Sequence, residues 1–372
     1  MKFIDLDRQY DVIGKEIEER MSRVIKNKSF IMGPEITELE SKLAEYVGRK
    51  HAITCASGTD ALVIPLMAYE LKRDDAVFVP AFTFYASAES IVLGGATPVF
   101  VDCDDSYNMD VKNLKKQIQR VLEEKKLTPR GIIPVDLFGQ PADYDEIMQI
   151  AKEYNLFVLE DAAQGFGGVY KGRKACSFGD VSATSFFPAK PLGCYGDGGA
   201  IFIDNDELAE KMRSIRVHGM GSNRYNNIRM GMNGRMDTLQ AAVVIPKLAI
   251  FDEELEKRNY VAGQYKKGLE EKYITPVVRK NKVSSWAQFS LLAKDKQHRE
   301  EIIKKMKEKD VPIMIYYPTP LHLQTAFAYL EYDKGSLPHC EEYADKIFSI
   351  PMHPYLTDQE IEYICGELIS MA

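Results

Sequence analysis

A regular alternation of helical and strand patterns between about residues 35 and 220 most constrains the fold of this chain. Residues 35–48 carry apolar side chains at helical spacing, and Pro34 suits the first turn of a helix. Six short segments have patterns typical of strands: 75–80, 97–103, 131–137, 156–161, 181–187 and 198–204. Helical patterns at 109–124 and 143–154 separate several of them. This alternation predicts an α/β fold, with a mostly parallel sheet covered by helices on both faces.

A second, smaller unit is predicted at the C-terminal end. The chain has 372 residues, more than one ordinary core accommodates. A long helical pattern runs to about residue 270, and we expect Pro246 to kink or interrupt it. Beyond it, four segments indicate strand, helix, strand and helix in turn: WAQFSLLA, HREEIIKKMKEKD, PIMIYYP and DQEIEYICGELISM. We place the boundary near residue 250, with a large domain at 1–250 and a smaller α/β domain at 251–372.

Charge and hydropathy argue against two classes of partner. The chain carries 48 basic and 55 acidic residues, a formal net charge of −7, which does not suit binding to nucleic acid. Its N-terminal residues lack the apolar core of a signal peptide, and the apolar run at 241–250 is too short to span a membrane. We therefore expect a cytoplasmic protein with neither nucleic-acid nor membrane partners.

The cysteine and histidine spacings do not predict a metal site. The six cysteines form no C-x-x-C pair, which favours reduced, buried thiols. His322, His339, Cys340 and His353 are grouped in the C-terminal third, but their spacing matches no zinc pattern. We expect no bound metal.

Two polar residues lie at or just after the ends of strand patterns. Asp161 ends the run at 156–161, and Lys190 follows the run at 181–187 by three residues. Ligands of open α/β sheets bind at the carboxyl ends of strands, so both are candidate site residues. Taken alone, Asp161 also suits a helix cap, and Lys190 also suits a surface loop.

Together these two residues fit pyridoxal 5'-phosphate (PLP). This cofactor needs a lysine amine that bonds its aldehyde and an acid at its pyridine nitrogen. Lys190 lies in SFFPAKPLG, where apolar neighbours favour the neutral, nucleophilic amine. Phe84, in PAFTFYAS, is placed to stack on the cofactor ring, although a plain core position is the alternative. The sequence thus predicts PLP as cofactor, with Lys190 and Asp161 as catalytic residues.

A phosphate site is predicted in CASGTDAL at 55–62, a glycine turn before an apolar helical pattern. The amides of Gly58, Thr59 and Asp60 would point at an anion from the N-terminus of that helix. An ordinary helix cap is the alternative. Ser185 could add a hydroxyl group.

Four segments, at 33–62, 80–87, 160–202 and 231–242, resemble the sugar aminotransferases of the DegT/DnrJ/StrS family. The resemblance covers essentially the whole chain, and the block around Lys190 is its most specific part. It implies the fold type I aminotransferase architecture: a large PLP domain, a small C-terminal domain and an obligate homodimer whose active sites lie at the interface.

The resemblance also implies cofactor contacts. Lys190 matches the lysine that bonds the cofactor, Asp161 matches the acid at the pyridine nitrogen, and Gln164 matches the residue that binds the phenolic oxygen. Three further positions match phosphate contacts: Ser185, Thr59 and Asp60. Phe84 matches the aromatic residue that stacks on the cofactor ring.

Substrate-side residues follow from the same resemblance. Asn233 matches a residue that reaches the phosphate in the partner subunit's site, and Arg235 matches one directed toward its substrate. Segment 315–324 resembles a substrate-side segment, in which Tyr317 and His322 are the predicted substrate-binding residues.

The chain departs from the family pattern at a few positions. Pro65 lies inside the predicted phosphate helix and should kink it. Residues 226–227 are asparagines where relatives often carry histidines, and Gly234 replaces a bulkier residue. These departures affect the prediction of which substrate binds, and they do not affect the predicted cofactor. Lys190 argues against the branch of the family that carries histidine at this position and removes hydroxyl groups from the sugar.

The predicted reaction is transfer of an amino group, with glutamate as the expected donor, to a nucleotide-linked ketosugar. The best match is a UDP-sugar with an acetamido group and a 3-keto function, as in surface-polysaccharide precursors. The alternatives are a dTDP-3- or 4-keto-6-deoxysugar aminotransferase and a PLP-binding regulator without turnover. A nicotinamide-dependent oxidoreductase would need G-x-G-x-x-G after the first strand, whereas GCYGDGG lies late in the chain.

Overall fold

The computed structural model describes residues 1–223 and 225–372. The first 203 residues contain nine strands: β1 (His51–Cys55), β2 (Asp75–Pro80), β3 (Thr97–Val101), β4 (Thr128–Ile132), β5 (Phe157–Asp161), β6 (Val169–Tyr170), β7 (Arg173–Lys174), β8 (Val181–Ser185) and β9 (Gly199–Ile203). Seven of them form one sheet in the order β1-β9-β8-β5-β4-β2-β3. β9 pairs antiparallel with both β1 and β8, and the remaining pairs are parallel. The predicted mostly parallel α/β sheet is confirmed.

Helices cover both faces of this sheet. They are α1 (Leu6–Asn27), α2 (Pro34–Val47), α3 (Gly58–Ala68), α4 (Ala86–Leu93), α5 (Val111–Glu124), α6 (Tyr144–Tyr154), α7 (Asp206–Arg216) and α8 (Thr238–Ala249). β2 has apolar side chains on both faces of the sheet, so helices must pack on both. Val77 and Val79 enter the core on the α3 side, whereas Ala76 and Phe78 enter the core against α5 and α6. Strands buried on both faces read as continuous apolar runs, as β2 does.

Helix α3 positions the beginning of the site. Ser57 caps it by accepting a hydrogen bond from the Asp60 amide at 3.0 Å. Seven of its residues are buried, because it packs against β8 and β9 as well as α4 and α7. The helix continues through Pro65 to Ala68. The proline therefore does not end it.

The C-terminal part of the chain forms its own core. Its elements are α9 (Phe251–Leu269), β10 (Lys282–Val283), β11 (Phe289–Leu292), α10 (Lys296–Glu308), α11 (Pro338–Lys346), β12 (Ile347–Ile350) and α12 (Asp358–Ile369). β11 and β12 pair antiparallel, while β10 joins β6 and β7. Apolar side chains of α9, α10 and α12 pack with this two-stranded sheet. The domain boundary near residue 250 stays a prediction.

One sequence-based expectation for this part is wrong. PIMIYYP does not form a strand: its one pairing is an isolated bridge between Met314 and Ser349, on the edge of β12 that does not face β11. The long helical pattern breaks at Ile250, four residues after Pro246, and α8 runs through the proline. Among the described residues, no helix combines the length and apolar character needed to cross a bilayer.

Candidate active site

A cavity of about 440 Å³ opens at the carboxyl ends of β5 and β8. Eight of the residues singled out in the sequence line it: Gly58, Thr59, Phe84, Asp161, Gln164, Ser185, Lys190 and Tyr317. They come from five separate stretches of chain: 58–59, 84, 161–164, 185–190 and 317. The sheet order explains their meeting, because β5 and β8 are neighbours and β1 ends beside the start of β9.

Asp161 and Lys190 both line the cavity and attract each other electrostatically. Asp161 pairs with Ala183 in the register of β5 and β8, and the chain returns to the cavity at Lys190, five residues after β8 ends. Burial lowers the pKa of the Lys190 amine to about 8, and the negative charge of Asp161 opposes this shift. About a tenth of Lys190 is therefore neutral at pH 7, and the neutral amine is the form that a nucleophile requires.

The Asp161 carboxylate is 3% exposed and held by two donors. Ser87 Oγ donates to its Oδ2 at 2.7 Å, and the Ala163 amide donates to its Oδ1 at 3.1 Å. Burial raises the pKa of Asp161, while these two hydrogen bonds and Lys190 lower it. Ser87 did not emerge from the sequence analysis, although it ends the quoted segment PAFTFYAS. A serine within a helical pattern carries no signal of its partner on another strand.

Gln164 is fixed by two hydrogen bonds. Its Oε1 accepts from the Phe138 amide at 2.7 Å, and its Nε2 donates to Tyr317 Oη at 3.0 Å. Tyr317 also packs near Phe84, with ring centroids 6.1 Å apart. Phe84 is 53% exposed toward the cavity opening, which leaves its ring available to a planar ligand.

The other end of the cavity suits an anion. The Asp60 amide is occupied by Ser57, which corrects the expectation that it faces the phosphate. Within the described chain, the amides of Gly58 and Thr59 at the start of α3 remain for an anion. Ser185 lies beside them: a Cβ atom on Gly58 would come 2.8 Å from Ser185 Oγ. A side chain at position 58 would fill this space.

These features fit PLP on chemical grounds. The amine of Lys190 suits an aldehyde, the buried carboxylate of Asp161 suits a protonated ring nitrogen, and two amides with a hydroxyl suit a phosphate. The groups lie at different places around one cavity of a size typical for a small-molecule site.

The match to a family model spans residues 11–369 and has the description DegT/DnrJ/EryC1/StrS aminotransferase family. The chain belongs to this family. The predicted resemblance is thereby confirmed, and so are the predicted aminotransferase class and its PLP dependence.

Two curated relatives match nearly the whole chain. The UDP-2-acetamido-2-deoxy-3-oxo-D-glucuronate aminotransferase of Pseudomonas aeruginosa is 45% identical over 99% of each chain. A pleiotropic regulatory protein of Geobacillus stearothermophilus is 40% identical over 98% of this chain and 96% of its own.

Solved structures confirm the predicted fold. A DegT DnrJ EryC1 StrS aminotransferase from Brucella abortus is 45% identical, with a TM-score of 0.96 and coverage of 100% of this chain and 99% of that one. The ntda protein of Bacillus subtilis, solved with bound cofactor PMP, is 29% identical, with a TM-score of 0.88 and coverage of 99% and 83%. This aminotransferase therefore has the expected α/β architecture.

Four of the predicted site residues do not line the cavity: Asp60, Asn233, Arg235 and His322. Asn233 is exposed and Arg235 is half-buried, with an Nε atom that has no hydrogen-bond partner among the described residues. Their segment lies beside the turn before α3, because the Ala56 amide donates to the Gly234 carbonyl at 2.9 Å.

His322 lies away from the cavity in a buried polar position. It is 2% exposed, its Nε2 lies 3.0 Å from Glu341 Oε1, and its ring packs near those of Phe100 and Tyr332. Burial lowers its pKa, and Glu341 opposes that shift. This position indicates a structural role, so the substrate contact expected at His322 finds no support here.

Proposed function

We propose that this aminotransferase transfers the amino group of glutamate to a UDP-linked sugar that carries a 2-acetamido group and a 3-keto function. The observation that carries this proposal is the 45% identity, over 99% of both chains, to a UDP-2-acetamido-2-deoxy-3-oxo-D-glucuronate aminotransferase. We place the reaction in the cytoplasm, in the synthesis of surface-polysaccharide precursors.

Lys190 has two proposed tasks. When bound, PLP supplies an electron sink for the carbon that loses its proton. The neutral amine of Lys190 would hold the cofactor through its aldehyde carbon until the amino donor takes its place. The freed Lys190 Nζ would then accept the proton from the α-carbon of glutamate, which leaves as 2-oxoglutarate, and would return a proton to the cofactor's aldehyde carbon. The same proton transfers in reverse would deliver the amino group to the keto carbon of the sugar, whose oxygen leaves as water.

The other cavity residues orient the cofactor. Asp161 would keep the ring nitrogen protonated, Gln164 Nε2 would bind the phenolic oxygen, and Phe84 would cover one ring face. The remaining proposed contacts hold the phosphate: Gly58, Thr59 and Ser185. Tyr317, already bonded to Gln164, forms the substrate-side wall.

We also propose a homodimer in which Asn233 and Arg235 complete the partner subunit's site. Exposed apolar side chains support an interface beside this segment: Phe30, Ile31, Met32, Ile228 and Met230. Ile31 pairs with Asp237 in an isolated bridge, which places Phe30, Ile31 and Met32 near Arg235. Sedimentation should give twice the mass of one chain.

A subunit-mixing experiment tests the shared site. Lys190→Ala and Arg235→Ala homodimers should each have low activity. Mixed dimers contain one site with both residues intact, so mixing should restore activity. Mixing without recovery, although mixed dimers form, would show that Arg235 acts in its own subunit.

The substrate is tested with a panel of nucleotide ketosugars and glutamate. We expect the UDP-2-acetamido-3-keto sugar to be aminated at a higher kcat/KM than dTDP-3- or 4-keto-6-deoxysugars. The opposite ranking would favour the dTDP-sugar alternative.

The Geobacillus relative, named as a pleiotropic regulatory protein, keeps one further candidate open: a PLP-binding regulator. Purified protein that binds PLP but does not convert it with glutamate would favour that function.

A further inference from the structure

Two buried hydroxyl groups form a chain of hydrogen bonds that ends at the Asp161 carboxylate. Ser87 Oγ, in the first turn of α4, lies 2.7 Å from Asp161 Oδ2. Thr83 Oγ1 lies 3.1 Å from Ser87 Oγ on the other side. Ser87 is 1% exposed and Thr83 is 2% exposed, so bulk water does not compete for either bond.

The direction of this chain follows from the number of protons. An ionised carboxylate only accepts hydrogen bonds, so Ser87 must donate its single proton to Asp161. Ser87 Oγ can then only accept from its other neighbour, and Thr83 Oγ1 must donate to it. Each donor polarises the next, which strengthens the final bond to the carboxylate.

The hydrogen bond from Ser87 opposes the effect of burial on the pKa of Asp161. Burial raises the pKa of Asp161, and the Ser87 hydroxyl, the Ala163 amide and Lys190 all lower it. The titratable side chains that interact with Asp161 are Lys190, from the loop after β8, and Tyr317, from the segment at 315–317. Neither donates a hydrogen bond to the carboxylate, so Ser87 is its side-chain donor among the described residues.

We infer that Ser87, supported by Thr83, is a positioning residue that keeps Asp161 ionised and its carboxylate directed into the cavity at neutral pH. The inference rests on the proposed role of Asp161 at the cofactor's ring nitrogen. Ser87 contributes to catalysis through Asp161, because a protonated Asp161 would lose its attraction for a protonated ring.

The test measures binding of PLP to apo-protein by equilibrium dialysis between about pH 6 and pH 9, so that turnover plays no part. In Ser87→Ala, the pH below which PLP binding weakens should rise by about one unit, since a hydrogen bond to a charged group is lost. The Kd should match the wild-type value at about pH 9 and exceed it about tenfold at about pH 6. Thr83→Val should produce a smaller shift in the same direction.

Ser90→Ala is the matched control. Ser90 is also buried in α4, but its hydroxyl donates to the Ser87 carbonyl at 3.1 Å and does not contact Asp161. This variant should keep the wild-type pH profile. If Ser87→Ala changes the Kd equally at every pH, or behaves as Ser90→Ala does, the inference is overturned.

Asp161→Asn separates this inference from the proposed function. Asparagine does not titrate here, so PLP binding should be weak and lack this pH dependence. Wild-type binding by Asp161→Asn at all pH values would contradict the role of Asp161 itself. A defect in Asp161→Asn with a wild-type profile in Ser87→Ala would contradict only the role of Ser87.

Discussion

Gly58 and Ser185 lie against each other at the carboxyl edge of the sheet, although 126 residues separate them in the chain. A Cβ atom on Gly58 would lie 2.6 Å from the Cβ atom of Ser185. Gly199 permits this approach, because a Cβ atom there would lie 2.4 Å from the Ser57 carbonyl oxygen. Two glycines thus bring the amides of α3 beside a serine hydroxyl, and the anion end of the cavity depends on both.

Gly58→Ala should therefore weaken PLP binding. Overpacking typically costs about 1–3 kcal/mol, and here it separates α3 from Ser185. We expect the Kd for PLP, measured by equilibrium dialysis, to rise about tenfold or more. Gly366→Ala, on the exposed face of α12, is the control, since its Cβ atom would contact nothing within 4 Å. That variant should gain about 0.5–1 kcal/mol of stability and bind PLP normally. Equal PLP binding by both variants would show that Ser185 can shift to accommodate the added methyl group without weakening the phosphate site.

Borohydride reduction of the PLP-loaded protein should attach the cofactor to Lys190. The Lys190 amine has a pKa of about 8, so it becomes neutral as the pH rises. Capture of PLP by apo-protein should accelerate about tenfold per pH unit below pH 8 and level off above it. Stopped-flow absorbance gives the rate, and a tryptic map locates the label.

Lys247 provides a stringent control for this labelling. It is also buried, burial lowers its pKa to about 8, and its Nζ lies 4.4 Å from the Tyr195 ring centroid. It does not line the cavity. Lys247→Met should keep the label and Lys190→Met should lose it; the reverse result would reassign the reactive lysine.

Asp161→Asn should separate activity from stability. Burial raises the pKa of Asp161, so ionisation at neutral pH destabilises the folded apo-protein, and this cost disappears as the pH falls below the carboxyl's ordinary value. The variant's melting temperature at neutral pH should equal or exceed that of the wild type. Its turnover should fall about 10²–10³-fold, because charge stabilisation at the ring nitrogen is lost. Unchanged turnover would remove Asp161 from the mechanism.

Glu360→Gln should lower stability only above acidic pH. Arg8 on α1 donates to Glu360 at the start of α12, at 2.7 and 2.8 Å, and lowers its pKa to about 2. The ion pair stabilises the fold fully above pH 4.5, the ordinary value, and this contribution is lost as the pH falls toward 2. Urea denaturation should show a loss of about 1 kcal/mol at neutral pH, since the pair is partly exposed.

A retained helix cap and a control variant allow the effect of the Glu360 charge to be measured separately. Glutamine can replace glutamate in the capping box that Glu360 forms with Thr357, so the substitution isolates the charge. Glu342→Gln breaks an exposed pair with Lys346 and should change stability far less. A loss in Glu360→Gln that persists unchanged at about pH 2 would indicate a packing defect.

Local patterns were sufficient for most of the large sheet. The runs at 75–80, 157–161 and 181–185 become strands, and nearly all of their residues are buried, polar as well as apolar ones. PIMIYYP is also rich in residues that favour strands, but its pairing is limited to an isolated bridge between Met314 and Ser349 of β12. Strand propensity alone did not separate this segment from the observed strands, and pairing with a neighbour decided the outcome.

Periodicity along the chain was enough to predict an α/β protein, and the motifs around Lys190 and Asp161 carried the resemblance to one aminotransferase family. Both kinds of signal are local, so they can be read without knowing which distant segments meet. Three contacts became known only from the folded chain: Ser87 donates to Asp161, Ser57 accepts from the Asp60 amide, and His322 is buried beside Glu341. Two of these three depend on strand order and helix docking, which bring side chains together from distant parts of the chain, and the third depends on the local geometry of a helix cap.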